Sequence, residues 1–445
     1  MARLFGTDGI RGVANTELSC LLALKTGMAA AAIERKLNPR PLFLTGRDTR
    51  ESGDMLEAAL CAGICAAGGD VVRLGVVPTP AIAWLVPHFG ANAGVMISAS
   101  HNPYQYNGIK IFGPGGFKLT DAQEDEIEAL IRADDLSPAD NIGRIRRIHG
   151  TVEKYIKHIA SCVSPLDELR IALDCANGSA ARTAGPLFES LGASVELICA
   201  EPDGRNINDG CGSTHIGNLC RFLRENPGRF DIGFAFDGDA DRCIAADENG
   251  NELDGDEIMA IIARRMKDEG RLKGGVIVAT VMSNLGLSRF AVQNGMTVET
   301  TSVGDRYVLE RMLEGGFSIG GEQSGHIILS EHMTTGDGQL TAAVLAETLK
   351  KSGAPASKLR AMKKYPQSET KISATPEMKA RMSHPAAAEY IERQAQRISD
   401  GRLLARPSGT EPVIRIMAEG SDSEQIAQIV LECAGALPDI LNSIQ

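Results

Sequence analysis

Apolar residues along this chain fall into short unbroken runs, separated by longer stretches with helical spacing. Pro41-Leu-Phe-Leu-Thr45, Ala93-Gly-Val-Met-Ile97, Ile171-Ala-Leu-Asp174, Phe234-Ala-Phe236 and Val276-Ile-Val-Ala-Thr280 have the length and composition of strands buried on both faces. Between them lie helical segments such as ESGDMLEAALCAGICAAGG, with Ser52 or Asp54 as N-cap and Gly68-Gly69 at its end. Thr120 and Gln123 form a capping-box pattern that opens a helix carrying Ile127, Leu130 and Ile131. Strand, helix, strand in this rhythm predicts parallel sheets with helical crossovers.

The rhythm recurs three times, and each time a strand ends in a loop of small and polar residues. No fixed sequence period accompanies it, so the repetition is architectural. GAPASKLRAMKKYPQSE, residues 353–369, reads as a positively charged linker. Beyond it the order changes to a helix, the strand RLLAR, a loop, the strand VIRIMAEG and a last helix, which suggests a small α+β domain. The predicted boundaries are 1–150, 151–253, 254–368 and 369–445.

Composition narrows the class. A chain of 445 residues with 43% hydrophobic and 23% charged residues is an ordinary globular protein of several domains. A net charge of −11 argues against a nucleic-acid surface, which would be basic. No apolar run approaches membrane-spanning length, the N-terminus MARLFGTDGIRG has no signal core, and no membrane partner is expected. Ten scattered cysteines without a C-x-x-C pair suggest neither a disulfide framework nor a zinc site, so a reducing cytoplasm is expected.

The loops carry the chemistry. Asp237-Gly-Asp-Ala-Asp-Arg242 crowds three carboxylates into five residues, a repulsive arrangement that a cation relieves. Oxygen-only ligands favour a hard ion, Mg²⁺ before Zn²⁺. An EF-hand loop nearly fits, with Glu248 at its twelfth position, but its sixth position needs Gly and the chain has Arg242. A solvated acidic turn is the plain alternative. Ser98-Ala-Ser-His-Asn-Pro103 offers a hydroxyl beside an imidazole, with Lys110 further along. A serine needs activation or prior modification to react, and no G-x-S-x-G elbow is present. Arg406-Pro-Ser-Gly-Thr410, followed by Arg415, has the makeup of an anion clamp: hydroxyls, glycine-exposed amides and guanidinium groups. Glu322, Ser324 and His326 place an acceptor, a hydroxyl and an imidazole in a glycine-rich loop suited to sugar hydroxyls. Neither a GxxxxGK[ST] loop nor a G-x-G-x-x-G fingerprint occurs, which disfavours ATP and NAD.

In their order along the chain, GTDGIRG, SASHNP, DGDADR, GEQSGH and RPSGTEP resemble the α-D-phosphohexomutase family. The resemblance implies three related mixed or parallel α/β domains plus a smaller C-terminal α+β domain, with the active site in a central cleft. It implies a phosphoserine at Ser100 and one Mg²⁺ per site held by Asp237, Asp239, Asp241 and the phosphoserine. Lys110 would transfer the proton with His101 assisting, and Arg11, Arg242 and His326 match active-site positions. Glu322 and Ser324 fall on the sugar loop, and Arg406, Ser408, Gly409, Thr410 and Arg415 on the phosphate clamp. Lys110 would need a depressed pKa, expected from Arg11, Arg242 and Mg²⁺ around it. The Gln of Gly320-Gly-Glu-Gln-Ser-Gly-His326 and the Gly304-Asp-Arg-Tyr307 segment are similar to the branch acting on glucosamine phosphates. Members acting on glucose or mannose phosphates typically have Met at the Gln position. The implied reaction interconverts glucosamine 6-phosphate and glucosamine 1-phosphate through a bisphosphate, which also serves as activator. A kinase or bisphosphate donor would first charge Ser100, and a homodimer is compatible with the sequence.

Overall fold

The computed structural model describes residues 3–444 apart from 7, 135, 149 and 409–411. Its chain divides into two units, one made of residues 1–282 and 294–361 and the other of Ser283–Gln293 with residues 362–445.

The first unit holds three sheets built on one plan. In the seven-stranded sheet the order is Phe5–Gly6, Gly9–Val13, Tyr106–Phe112, Ala93–Ile97, Leu42–Arg47, Asp70–Val76 and Ile145–Arg147. A five-stranded sheet runs Glu252–Leu253, Cys243–Asp247, Ile232–Phe236, Arg170–Asp174 and Ser194–Ile198. A four-stranded sheet runs Thr297–Thr301, Val276–Thr280, Ile319–Gly321 and Ile327–Leu329. In each, one strand pairs parallel on one side and antiparallel on the other. Ala93–Ile97 lies between Leu42–Arg47 and the antiparallel Tyr106–Phe112. Ile232–Phe236 lies between Arg170–Asp174 and the antiparallel Cys243–Asp247. Ile319–Gly321 lies between Val276–Thr280 and the antiparallel Ile327–Leu329. Three of the polar loops singled out above, those of Ser100, of Asp237–Arg242 and of Glu322–His326, are the connections at these joints, where the chain leaves its parallel strand and doubles back.

Burial explains why the central strands read as unbroken apolar runs. Every residue of Ala93–Ile97, Ile232–Phe236 and Val276–Thr280 is buried, because helices cover both faces. No residue of the edge strands Ser194–Ile198 and Thr297–Thr301 is fully buried, and both carry polar residues. Helix starts follow local chemistry. Thr120 and Gln123 make the expected capping box for Asp121–Ala133, and Asp254 with Glu257 makes a second one for Gly255–Asp268. Ser52 occupies the N-cap position of Gly53–Ala66 without capping it, since its hydroxyl accepts instead from Asn107 Nδ2 at 2.9 Å.

The second unit is an antiparallel three-stranded sheet in the order Gln367–Ser373, Val413–Glu419 and Arg402–Pro407. Ile414, Ile416 and Ala418 face Ile426, Ile429, Val430, Cys433 and Leu437 of the helix Ser423–Ser443 in its core. The segment read as a linker therefore ends inside a strand, because Gln367–Ser373 is polar and only half covered. Ser283–Gln293 joins this unit through Asn284, whose side chain donates to Tyr365 O at 3.0 Å and accepts from Tyr365 N at 3.0 Å. Among the described residues no helix is long and apolar enough to cross a membrane.

Candidate active site

Ser100 begins the site. It follows the buried strand Ala93–Ile97 and takes a left-handed backbone conformation, φ 52°, which a non-glycine residue adopts only under constraint. Arg50 supplies much of that constraint. Its fully buried guanidinium donates to the carbonyls of Ser100 (2.9 Å) and Asn102 (2.8 Å), to those of Pro103 and Tyr106, and to Asp48 Oδ2 at 2.8 Å. Asn208 adds a donor to Ser100 O at 2.9 Å from the neighbouring sheet. Neither residue stood out in the sequence as more than part of a loop.

The acidic loop meets this turn directly. Ser100 Oγ donates to Asp237 Oδ2 at 2.6 Å across 137 residues of chain. Asp237, Asp239 and Asp241 are buried and bring one carboxylate oxygen each within 4.8 Å of one another. Asp239 Oδ2 accepts from Thr79 Oγ1 at 2.6 Å and from Lys110 Nζ at 2.9 Å. Oδ1 of Asp239 and Oδ1 of Asp241 have no hydrogen-bond partner among the described residues. Buried orphan carboxylate oxygens are costly unless something else satisfies them, so this donor set fits a hard divalent cation. Burial and the charges of Asp241 and Asp239 push the Asp237 carboxyl well above the usual range, a further sign of unbalanced negative charge.

A second group, Asp174, Cys199 and Cys211, also brings ligand atoms within 4.8 Å, by a convergence that its sequence spacing does not announce. There, however, Asp174 accepts from Ala176 N at 3.0 Å and Asn218 Nδ2 at 3.4 Å, and Cys199 Sγ accepts from Asn218. That cluster is satisfied from within and holds its turn.

The protein's own charges around Lys110 act opposite to the arginines expected from the sequence. Lys110 is buried, and burial works against its charge, but Asp239 at 2.9 Å, Asp8 at 2.9 Å and Asp241 at 3.7 Å outweigh that effect and hold its pKa above the ordinary lysine value. The arginines expected to lower it are themselves paired or further away: Arg11 contacts Asp8, and Arg242 lies beside Asp241. His101 is the basic group that is depressed. Burial first, then Arg242 and Arg11, push it down to about 4, so at neutral pH it is an uncharged ring with Nδ1 3.4 Å from Ser100 Oγ. His326 stands 3.5 Å from Asp241; burial lowers its pKa, but Asp241 and Asp305 raise it more. Nε of Arg11 and Nε of Arg242 are buried donors without a partner among the described residues, as a site for an anion would leave them.

The sugar loop reaches the acidic loop through an isolated antiparallel bridge between Arg242 and His326. Glu322 Oε1 accepts from Gly304 N at 3.0 Å, and Ser324 is exposed beside Glu322 Oε2. On the second unit, Arg406 and Arg415 are cross-strand partners. Burial and the Arg415 charge lower the Arg406 pKa, and two guanidinium groups so placed invite an anion. Ser408 is buried there, with its N–H donating to Val413 O at 2.9 Å, whereas Gly409 and Thr410 lie outside the described residues.

Profiles of the phosphoglucomutase/phosphomannomutase family match nearly the whole chain: alpha/beta/alpha domain I at 2–137, domain II at 153–250, domain III at 254–365 and the C-terminal domain at 369–436. The chain belongs to this family. Among its phosphoglucomutase/phosphomannomutase relatives is one named phosphoglucosamine mutase, from Acetivibrio thermocellus, 48% identical over 99% of this chain and 100% of the relative. Another of that name, from Ruminiclostridium cellulolyticum, is 50% identical over 96% and 97%. The fold is that of a phosphoglucomutase/phosphomannomutase family protein from Burkholderia thailandensis, with a TM-score of 0.86 at 24% identity over 100% of this chain and 99% of that one. Aspergillus fumigatus N-acetylphosphoglucosamine mutase, solved in complex with GlcNAc-6P and magnesium, shares it with a TM-score of 0.68 at 17% identity over 99% and 96%.

Proposed function

We propose that this α-D-phosphohexomutase interconverts glucosamine 6-phosphate and glucosamine 1-phosphate, with Ser100 as the phosphate carrier. One observation carries the reading: the Ser100 hydroxyl, buried in a constrained turn, lies 2.6 Å from the first of three clustered aspartates. Full-length relatives at 48–50% identity named phosphoglucosamine mutase support the substrate. Substrate complexes of the N-acetylglucosamine-phosphate mutase fold relatives agree with a phosphosugar.

In the forward half-reaction the P–Oγ bond of phosphorylated Ser100 breaks as a bond forms between phosphorus and the free sugar hydroxyl. The hydroxyl proton passes to a base on the protein, and the product is a bisphosphate. In the second half Ser100 takes the other phosphoryl group, and its oxygen displaces the sugar oxygen, which is reprotonated. Asp237, Asp239 and Asp241, with the serine phosphate, would hold Mg²⁺. Bound there, the ion would offset phosphoryl charge and part of the carboxylate field around Lys110. Lys110 is assigned the proton transfer, with neutral His101 beside Ser100 assisting. Arg11 and Arg242 offer their unpartnered Nε–H groups to phosphoryl oxygens. Glu322 and Ser324 are assigned to sugar hydroxyls, and Arg406, Ser408, Gly409, Thr410 and Arg415 to a phosphate. A bisphosphate or a kinase supplies the first phosphate on Ser100. All ten cysteines are free thiols, which supports a reducing cytoplasm as the setting.

The test is intact-protein mass spectrometry for one phosphate, mapped to Ser100, beside a mutase assay on glucosamine, glucose and mannose phosphates. We expect a phosphoserine, the highest kcat/KM on glucosamine 6-phosphate and no turnover in Ser100→Ala. A fully active Ser100→Ala enzyme would remove Ser100 as carrier.

A further inference from the structure

Gly304-Asp-Arg-Tyr307 stood apart in the sequence, and the mechanism above gives it no task. In the structure Asp305 opens the helix Asp305–Gly315 and meets Lys118, from the loop ahead of the helix Asp121–Ala133, at 2.5 Å. Lys118 Nζ also contacts Asp8, which stands 2.9 Å from Lys110. On its other side Asp305 lies 3.6 Å from His326 Nε2, while His326 Nδ1 is 3.5 Å from Asp241. Asp241 is 3.7 Å from Lys110, which closes the circuit. Lys110, Asp8, Lys118, Asp305, His326 and Asp241 thus form a ring of alternating basic and acidic groups, drawn from all three sheets of the first unit.

The Lys118–Asp305 contact is the one link in this ring between the loops of the first sheet and those of the third. Its members are largely shielded, with side-chain exposures of 16% and 17%, so solvent screening weakens it little. Within the third sheet's loops, the residue before Asp305 is held to the sugar loop, since Gly304 N donates to Glu322 Oε1. Without Lys118, Asp8 and Asp305 would face one another with no cation between them, and like charges so shielded repel.

We propose that Lys118 and Asp305 are positioning residues for the transfer reaction, a bridge that sets Lys110 through Asp8 on one side and His326 on the other. Neither touches the reacting atoms. The inference rests on the mutase reading, since it concerns how that site is held.

The experiment compares Lys118→Met, Lys118→Arg, Asp305→Asn and the double variant Lys118→Met/Asp305→Asn with the wild-type enzyme. Turnover is normalised to the phosphoserine content found by intact mass, and melting temperatures are recorded alongside. We expect Lys118→Met and Asp305→Asn to lower kcat about tenfold or more with KM changed less than about twofold, the pattern of misplaced catalytic groups rather than lost binding. Lys118→Arg, which keeps a cation between the carboxylates, should recover most of kcat. The double variant should be no slower than the slower single variant, because both remove the same bridge. An unchanged kcat in Lys118→Met and Asp305→Asn, or a rise in KM alone, overturns the inference. If Lys118→Met does not fold, Asp305→Asn and Lys118→Arg carry the same comparison. A phosphorylated wild-type enzyme that fails to convert glucosamine 6-phosphate would instead sink the mutase reading, a distinct result.

Discussion

Arg50 is the residue whose loss should tell most about how the serine turn is made. Its side chain gives five hydrogen bonds, four to carbonyls of the turn and its flanks and one to buried Asp48. In Arg50→Met, Asp48 keeps the hydroxyl of Ser98 at 2.6 Å but loses its cation in a site with no exposure. Removing one partner of a buried ion pair costs about 3–5 kcal/mol. Ser100 and Asn102 keep Asn208 as a second donor, so the carbonyls add less than their full desolvation cost. A unit of this size does not melt as a single two-state transition, so the measurable quantity is the first unfolding step. At a few degrees per kcal/mol it should fall on the order of 10 °C. Arg50→Lys restores the charge but has three N–H groups in place of a fork with five, and should lie between. The assay is a thermal melt at fixed Mg²⁺ with turnover per phosphoserine beside it. Because Ser100 depends on this support for its left-handed backbone, kcat should fall more than KM rises. An Arg50→Met enzyme melting within about 2 °C of wild type, with normal turnover, would refute the reasoning.

Two further outcomes are expected. Arg415→Ala should mainly raise KM for phosphosugars, because the variant breaks the guanidinium pair with Arg406; unchanged kcat and KM would take that loop out of phosphate binding. Asp337 is fully enclosed, and burial lifts its carboxyl to about 6 against the bonds it accepts from Leu340 N, Tyr155 Oη and Gln339 N. A raised carboxyl pKa favours the folded state at low pH and costs stability as pH rises from about 4 to 6, on the order of 2–3 kcal/mol once complete. Asp337→Asn should therefore raise the melting temperature at pH 7.5 and leave it unchanged near pH 4, and an equal loss at both would contradict the sign.

The parallel cores of the sheets were legible because strands covered on both faces must be apolar throughout, as Ala93–Ile97 and Val276–Thr280 are. The antiparallel return strands were not. Tyr106–Phe112 begins with exposed Tyr106 and buried Asn107, and Ile327–Leu329 has three residues, too few for a period. Ile319–Gly321 is equally short. Its glycines carry no strand signal, yet a Cβ at Gly321 would stand 2.5 Å from His326 O. The site divides in the same way. Motif residues were visible, but their supports, Arg50, Thr79 and Asn208, come from other segments and act through backbone carbonyls or a single carboxylate oxygen. The protein's own field at Lys110 was not legible, because spacing along the chain says which charges exist, not which lie nearest. Asp8 and Asp239, more than a hundred residues away on either side, win over both arginines.

That field also predicts a coupling between phosphate and metal. Around Ser100 the carboxylates of Asp8, Asp237, Asp239, Asp241 and Asp305 face the permanent cations Lys110, Lys118, Arg11 and Arg242, five against four. The unmodified site is therefore near balance, and burial with the neighbouring carboxylates pushes the Asp237 carboxyl well above its usual range. A phosphate on Ser100 adds about −1.5 to −2 charges next to Asp237, more than these four cations balance. Mg²⁺ should accordingly bind the phosphoserine form much more tightly than the dephosphorylated one. By linkage, the phosphate should be held more firmly when the ion is present. Calorimetric titration of Mg²⁺ into enzyme before and after phosphatase treatment measures the difference directly, without turnover. About tenfold or more in affinity is expected for a full compensating charge in a shielded site. Equal affinities would mean that the three aspartates gather the ion by themselves, and that the acidic loop and the serine turn are neighbours rather than two halves of one site.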